Sequence, residues 1–175
     1  HLEIFKKKGI EVLLMGHPID EWVVSNLTEY KEKTLQSVSK GELDNLKDEE
    51  DSESKDQEKE LKPVLKKLGK VLEDKVKEVR FTNRLTDSPA CLVADENDMG
   101  ANLERILKAA GQDAPTSKPI LEINPGHELI KNLNPRKKDF EDWAQVLFDQ
   151  AALSEGAPIA DPAGYVKRVN RLLSK

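Results

Sequence analysis

The sequence is poor in aromatic residues, has one cysteine and lacks any long apolar run. Aromatic residues make up 5% of the 175 positions, and the longest uninterrupted apolar segment is 90–94. A transmembrane helix needs about 20 apolar residues, so the sequence predicts no membrane span. The single cysteine, Cys91, excludes an internal disulfide and is typical of proteins from a reducing compartment. We therefore expect a cytoplasmic protein.

An excess of basic charge is also missing. The chain has 28 Lys and Arg against 33 Asp and Glu, which gives a formal net charge of −5. Nucleic-acid binding needs a basic surface that neutralises phosphates, so this composition argues against a nucleic-acid partner. The chain starts at His1, without methionine and without the apolar core of a signal peptide. We expect a piece of a longer protein, with one domain or one domain and part of another.

Much of the acidic charge is concentrated in one segment. Ten acidic residues and three lysines lie between Glu42 and Glu60, with almost no apolar side chain among them. Such a segment cannot bury enough surface to fold alone, and it predicts a linker or a solvated start of a helix. We place the linker at 42–54, between a unit at 1–41 and a domain at 55–175.

The unit at 1–41 is expected to be an incomplete αβ piece. The apolar segment 10–15 is bounded by glycines and predicts a buried strand. Pro18 suits the first turn of the helix that follows, and 34–40 alternates weakly, like an edge strand. Forty residues cannot cover both faces of a buried strand. The unit is therefore expected to complete a domain whose earlier part lies outside this chain.

The domain at 55–175 is predicted to be α+β, with a small three-stranded sheet and helices. Apolar residues at helical spacing predict a first helix from about Ser54, which Pro63 delays or kinks. The predicted strands lie at 76–81, 90–94 and 119–123. Further helices are predicted at 98–110, with Gly111 as the C-cap, and from Asn124-Pro125 to about Leu133.

The last forty residues are predicted to form a helical hairpin. Apolar side chains recur at near-heptad spacing from Phe140 until Gly156, and Asp161-Pro162 matches an N-cap followed by proline at the first helical position. Two amphipathic helices have more apolar surface than a small sheet can cover. The hairpin could be an ordinary helical layer, or it could pair with a second copy in an intersubunit four-helix bundle. The spacing alone favours neither.

The residues that could carry catalysis or bind a metal have the wrong spacing for it. His127-Glu128 lacks a second histidine four residues later, and the acidic loop at 95–100 lacks the later ligands of a calcium loop. Cys91 is expected to be a buried structural thiol. No glycine-rich phosphate loop is present, so no cofactor is expected in this chain. A small enzyme built on Cys91, His127 and Glu128 is a weak alternative.

Several segments resemble the ninety-kilodalton heat-shock chaperone family. GIEVLLM at 9–15, followed by IDEW at 19–22, is similar to the end of the family's middle domain. VRFTNRLTDSPA at 79–90 is the most specific segment and resembles the start of its C-terminal domain. Three shorter segments agree with the bacterial branch, the high-temperature protein G type: AAGQ at 109–112, LEINPGH at 121–127 and RVNRLL at 168–173. The resemblance covers nearly the whole chain.

The resemblance implies a homodimeric, ATP-dependent chaperone that assists protein folding under stress. ATP and magnesium would bind in an N-terminal domain outside this chain, which would itself have no ATPase activity. The unit at 1–41 would be the end of the middle domain, and 55–175 would be the dimerisation domain. The chain also lacks the acidic tail with which eukaryotic cytosolic members bind helical-repeat co-chaperones.

The resemblance also implies two sets of site residues. Contact with unfolded client proteins is associated with Glu21, Trp22, Met99, Leu103, Ile106 and Leu107. From spacing alone, the helix that carries Met99 favours core packing, whereas the resemblance favours a surface role. The intersubunit bundle would use Phe140, Trp143, Leu147, Ala151, Tyr165, Val166, Val169, Leu172 and Leu173. A heteromeric adaptor that binds a different protein through the same hairpin is the main alternative.

Overall fold

The computed structural model describes residues 1–41, 52–96, 98, 101–112 and 117–174. Residues 42–51 of the predicted linker lie outside this description, and 52–54 form the start of a helix. The described helices are α1 (Glu3–Lys8), α2 (Pro18–Asn26), α3 (Ser52–Val71), α4 (Ala101–Ala109), α5 (Glu128–Lys131), α6 (Phe140–Ser154) and α7 (Pro162–Leu173). The described strands are β1 (Glu29–Tyr30), β2 (Lys33–Thr34), β3 (Glu78–Phe81), β4 (Ala90–Val93) and β5 (Ile120–Ile123).

Strands β3, β5 and β4 form a three-stranded sheet with β5 in the centre. Strand β5 pairs in parallel with β3 and antiparallel with β4. In this register Glu122 of β5 lies between Arg80 of β3 and Cys91 of β4. A small mixed sheet combined with helices confirms the predicted α+β class, and all three predicted strands of this sheet form.

The main core lies between this sheet and helices α3 and α6. Its fully buried side chains come from all three layers: Leu68, Leu72, Leu121, Ile123, Phe140 and Leu147. Burying one such side chain contributes about 1.5–3 kcal/mol, so this layer supplies much of the stability. Of the two effects predicted for Pro63, a delayed start of α3 is wrong, because the helix runs from Ser52 through this residue. Pro63 is exposed, where water can replace the backbone hydrogen bond that proline cannot donate.

Helices α6 and α7 form the predicted hairpin. Arg171 of α7 makes an ion pair with Asp142 of α6. One turn away, Arg168 lies 3.9 Å (Nη1 to Oδ2) from Asp149, which is buried in α6. These two pairs tie α7 to α6 within a single chain.

The predicted start of α7 is confirmed and that of α5 is wrong. Asp161 Oδ1 accepts the N–H of Gly164 at 2.9 Å, and Pro162 occupies the first helical position. At α5, the Asn124 side chain instead closes a turn by accepting the amide two residues later, at 2.9 Å. The N-cap is His127, whose Nδ1 accepts the amide two residues after it at 3.1 Å. The helix therefore starts three residues later than predicted.

Two strand predictions for the unit at 1–41 are wrong. Residues 10–15 form no strand, because no strand among the described residues pairs with them, and Leu13 is 73% exposed. The edge strand predicted at 34–40 is replaced by the short β1–β2 hairpin, which ends at Thr34. Further along, Lys40 forms a parallel bridge with Ala94, just beyond β4.

Glu3 attaches α1 to the loop after β3. Its Oε2 accepts three successive backbone N–H groups, of Thr86 at 2.6 Å, Asp87 at 2.7 Å and Ser88 at 3.1 Å. Its Oε1 accepts the Ser88 hydroxyl. Partial burial raises the pKa of Glu3, but these four hydrogen bonds outweigh burial and lower it to about 2. The ionised carboxylate therefore stabilises the fold above pH 4.5, and this contribution is lost as the pH falls toward 2.

We expect Glu3→Gln to lower the free energy of unfolding at pH 7 by about 1–2 kcal/mol, because an amide replaces a charged acceptor. The difference from wild type should shrink below pH 4.5, because the Glu3 carboxyl then becomes protonated in the unfolded chain and stabilises the fold less. Urea unfolding at pH 7 and pH 3 measures both effects. Glu11→Gln, at an exposed position, is the control and should change little at either pH. An equal loss in both variants would contradict this role for Glu3.

Candidate functional site

Helix α2 exposes most of its apolar side chains to solvent. It begins with a capping box in which His17 Nδ1 accepts the N–H of Ile19 at 3.3 Å, while the His17 amide donates to Asp20 Oδ2 at 2.9 Å. This histidine is therefore part of the helix start. Ile19 is 57% exposed and Trp22 is 70% exposed. A helix with a stable start and an uncovered apolar face is typical of a contact surface.

Helix α4 lies directly against α2. Leu103, Ile106 and Leu107 on α4 are half-buried, so they pack partly inward and are partly accessible. The helix ends at Ala109, and Gly111, with a left-handed φ of 73°, lets the next amide donate to the Leu107 carbonyl at 3.0 Å. We call the exposed apolar residues of α2, together with the accessible face of α4, the α2–α4 surface.

The structure brings together most of the residues predicted to contact clients. Glu21 and Trp22 lie on α2, and Leu103, Ile106 and Leu107 lie on the helix that packs against it. Met99 lies outside the described residues. About eighty residues separate the two groups in sequence, so their proximity depends on how the unit at 1–41 attaches to the rest of the chain.

The residues predicted for a dimer interface divide into three groups. Four are buried within the single chain: Phe140, Leu147, Ala151 and Leu172. Three are half-buried: Trp143, Tyr165 and Val169. Two are largely exposed: Val166 at 55% and Leu173 at 78%. The uncovered apolar surface of the hairpin therefore lies mainly on α7.

A buried ion network attaches the unit at 1–41 to the sheet. Glu122 and Arg84 are only 2% and 3% exposed. Arg80 donates to Glu122 Oε1 from Nε at 3.0 Å and from Nη2 at 2.7 Å. Arg84 Nε lies 2.5 Å from Glu122 Oε2. Two arginines thus share one buried carboxylate on the sheet face opposite the main core.

The same arginines hold the segment that ends the unit at 1–41. Arg84 donates to the carbonyls of Val38 at 2.5 Å and Gly41 at 2.7 Å. Gly41 has a left-handed φ of 58°, which favours glycine and turns the chain at this point. The Gly41 amide also donates to the Ala94 carbonyl at 3.0 Å, next to β4. Residues 38–41 are therefore fixed to the sheet by backbone and side-chain hydrogen bonds together.

Arg84, Glu122 and Glu3 carry no motif that marks them in the sequence. One signal was available for Glu122, because it occupies the middle of the apolar strand Ile120–Ile123. A glutamate in such a strand needs a cationic partner once buried. Its partners Arg80 and Arg84 lie in the segment 79–90, whose resemblance to the chaperone family does not indicate an ion pair.

Cys91, His127 and Glu128 do not form a catalytic group. Burial and, to a smaller extent, the neighbouring Glu122 raise the pKa of the Cys91 thiol to about 12, so the thiol stays protonated at neutral pH. Its hydrogen-bond contact is Glu122 Oε2, 4.0 Å away. His127 serves as the N-cap of α5, and Glu128 is exposed.

The described part of the chain contains no cluster of three or more His, Cys, Asp or Glu residues that could hold a metal ion. In the loop tested against a calcium site, Asp95 Oδ2 lies 2.6 Å from Lys77 Nζ. Asn97, Met99 and Gly100 of that loop lie outside the described residues. Within the described ranges, none of the helices has the length and apolar content to cross a membrane.

The fold is a small mixed sheet packed against helices, with apolar side chains exposed on α2 and α7. The family model for "Hsp90 protein" matches residues 1–175, so the chain belongs to the Hsp90 family. It is 59% identical to the chaperone protein HtpG of Aromatoleum aromaticum over 99% of its length, and 56% identical to those of Legionella pneumophila strain Paris and Burkholderia cenocepacia. It spans only 27–28% of the length of these relatives.

We expect Glu122→Gln to lower the free energy of unfolding by about 3–5 kcal/mol, because Arg84 would remain buried without its counter-charge. Thermal and urea unfolding measure this loss. Glu128→Gln removes an exposed carboxylate 3.9 Å from Lys131 and should change stability by less than about 0.5 kcal/mol. Similar effects for the two variants would show that the buried network is not an important source of stability.

Proposed function

We propose that this chain is the homodimerisation and client-contact module of an ATP-dependent chaperone. The observation that carries the proposal is the α2–α4 surface, where an uncovered apolar helix lies against a second, partly accessible one. Membership of the Hsp90 family and high identity to HtpG chaperones support a role in protein folding. ATP and magnesium would bind in parts of the protein outside this chain, in the cytoplasm of a bacterial cell.

Client contact fits the chemistry of the α2–α4 surface. Unfolded proteins expose apolar side chains in no fixed arrangement, so a surface that holds many of them needs apolar area and few directional hydrogen bonds. Ile19 and Trp22 supply such area on α2. Leu103 and Ile106 on α4 are partly accessible and can add to it. Such a surface binds weakly and broadly, which suits release of the client after folding.

We expect Trp22→Ser to reduce suppression of client aggregation with little change in thermal midpoint. Trp22 is 70% exposed, and replacing an exposed side chain usually alters stability by less than about 0.5 kcal/mol. Light scattering of a heated client protein, with the substitution made in the full-length chaperone, measures protection. Tyr30→Ser, an exposed aromatic on β1, is the control and should retain protection. Equal loss in the two variants, or a lowered midpoint for Trp22→Ser alone, would contradict the proposal.

Homodimerisation fits the exposed apolar residues of α7. Val166 and Leu173 are seven residues apart, which is almost two turns, so they lie on one stripe of the helix. Leu153 at the end of α6 is also exposed. A second hairpin placed against this stripe would cover all three residues and form a four-helix bundle with two-fold symmetry. The same stripe is what a heteromeric adaptor would use, so the oligomeric state of the purified chain decides between the two.

We expect the wild-type chain to sediment as a dimer of twice 19.7 kDa and the double variant Val166→Asp/Leu173→Asp to sediment as a monomer. Four like charges would meet in the symmetric bundle, two from each chain. The control Ala157→Asp/Ala160→Asp adds the same charge at exposed positions in the loop between α6 and α7 and should remain dimeric. Deleting 161–175 should also give a monomer. A truncated chain that still sediments as a dimer would place the interface elsewhere.

A further inference from the structure

The solvent side of α3 carries a row of lysines that no described carboxylate neutralises. Lys62, Lys66 and Lys70 are exposed and spaced four residues apart, so they follow each other at about 6 Å intervals along one side of the helix. The opposite side of α3 carries the buried leucines of the main core. Within the described part of the chain, no Asp or Glu lies within ion-pair distance of these three lysines.

A second basic segment lies beside this row. Lys67 of α3 donates from Nζ to the carbonyl of Pro135 at 2.5 Å, which places the loop before α6 against the helix. The next three residues of that loop are Arg136, Lys137 and Lys138, all exposed. They too have no acidic partner among the described residues. We call these three residues, together with Lys62, Lys66 and Lys70, the basic face.

The basic face is unusual in a chain with a net charge of −5. Exposed charges of one sign raise the local positive potential, which attracts an anionic partner. Such a face is separate from the α2–α4 surface and from α7, since it is formed by α3 and the loop before α6. A partner could therefore bind the basic face without occupying the surfaces proposed for client binding and for dimerisation.

We propose that the basic face binds an acidic polypeptide segment of a partner protein. Carboxylates spaced along a peptide can match a row of lysines at 6 Å intervals through several ion pairs. A membrane is disfavoured because no large apolar side chain is exposed between residues 36 and 152 of the described chain, so nothing there could insert into lipid.

The absence of exposed large apolar side chains in this region also argues against binding of single-stranded nucleic acid. Binding of unpaired bases uses exposed aromatic rings for stacking, and the described residues expose none in this region. Phe140, over which Lys67 lies at 5.0 Å, is buried. The face offers charge without stacking or apolar groups, which is the chemistry that suits carboxylate side chains.

The test is fluorescence anisotropy with a labelled 16-residue peptide that repeats glutamate every four residues among alanines. We expect the wild-type chain to bind it at 50 mM NaCl and to bind at least tenfold more weakly at 300 mM, because salt screens exposed ion pairs. Lys62→Glu/Lys66→Glu/Lys70→Glu should weaken binding at least tenfold. The control Lys6→Glu/Lys7→Glu/Lys167→Glu changes the net charge equally at exposed sites elsewhere and should bind within twofold of wild type.

Three results would overturn the proposal: equal loss in both triple variants, no binding by wild type, or tighter binding of an oligo-dT of equal charge or of vesicles containing phosphatidylserine. Circular dichroism checks that each variant is folded. If the α3 variant unfolds, Arg136→Glu/Lys137→Glu/Lys138→Glu tests the same face from the loop, and unchanged peptide binding by that folded variant would also overturn the proposal.

Discussion

Glu122 lies in the central strand of a small sheet, and the attachment of residues 38–41 to that sheet depends on how its charge is compensated. A carboxylate removed from water is strongly destabilising unless cations and hydrogen-bond donors replace the solvent. Arg80 and Arg84 do this from β3 and from the loop after it. The two arginines have more N–H groups than one carboxylate can accept. Their remaining donors therefore bind the carbonyls of Val38 and Gly41. Compensation of one buried charge thereby fixes a segment far away in sequence.

This arrangement explains how two apolar surfaces remain exposed on a stable protein. The main core is built from α3, α6 and the sheet, and it needs nothing from α2 or from the outer side of α7. Apolar residues on those helices can therefore face solvent without loss of the fold. Contact with client proteins and with a second copy, as we propose, would use surface that the core does not require.

The sequence predicted the central fold well and the attachment of its first 41 residues poorly. Helices and strands of the domain after the linker follow directly from apolar periodicity and from caps such as Asp161-Pro162, which are local signals. The strand expected at 10–15 did not form, because a strand depends on a partner that periodicity cannot supply. The ion network was missed for a related reason: Arg84 and Glu122 are 38 residues apart, and only the folded register brings them together.

The attachment of the first 41 residues at two separate places has a mechanical consequence. A body held at a single point can swivel about it, whereas a body held at two points can turn only about the line that joins them. Glu3 binds the loop at 86–88, and the segment 38–41 binds beside β4. Rotation of the unit at 1–41 about any other axis would have to break the hydrogen bonds at one of these two places. A displacement of the unit at 1–41 away from that line would therefore be felt both at the loop 86–88 and beside β4.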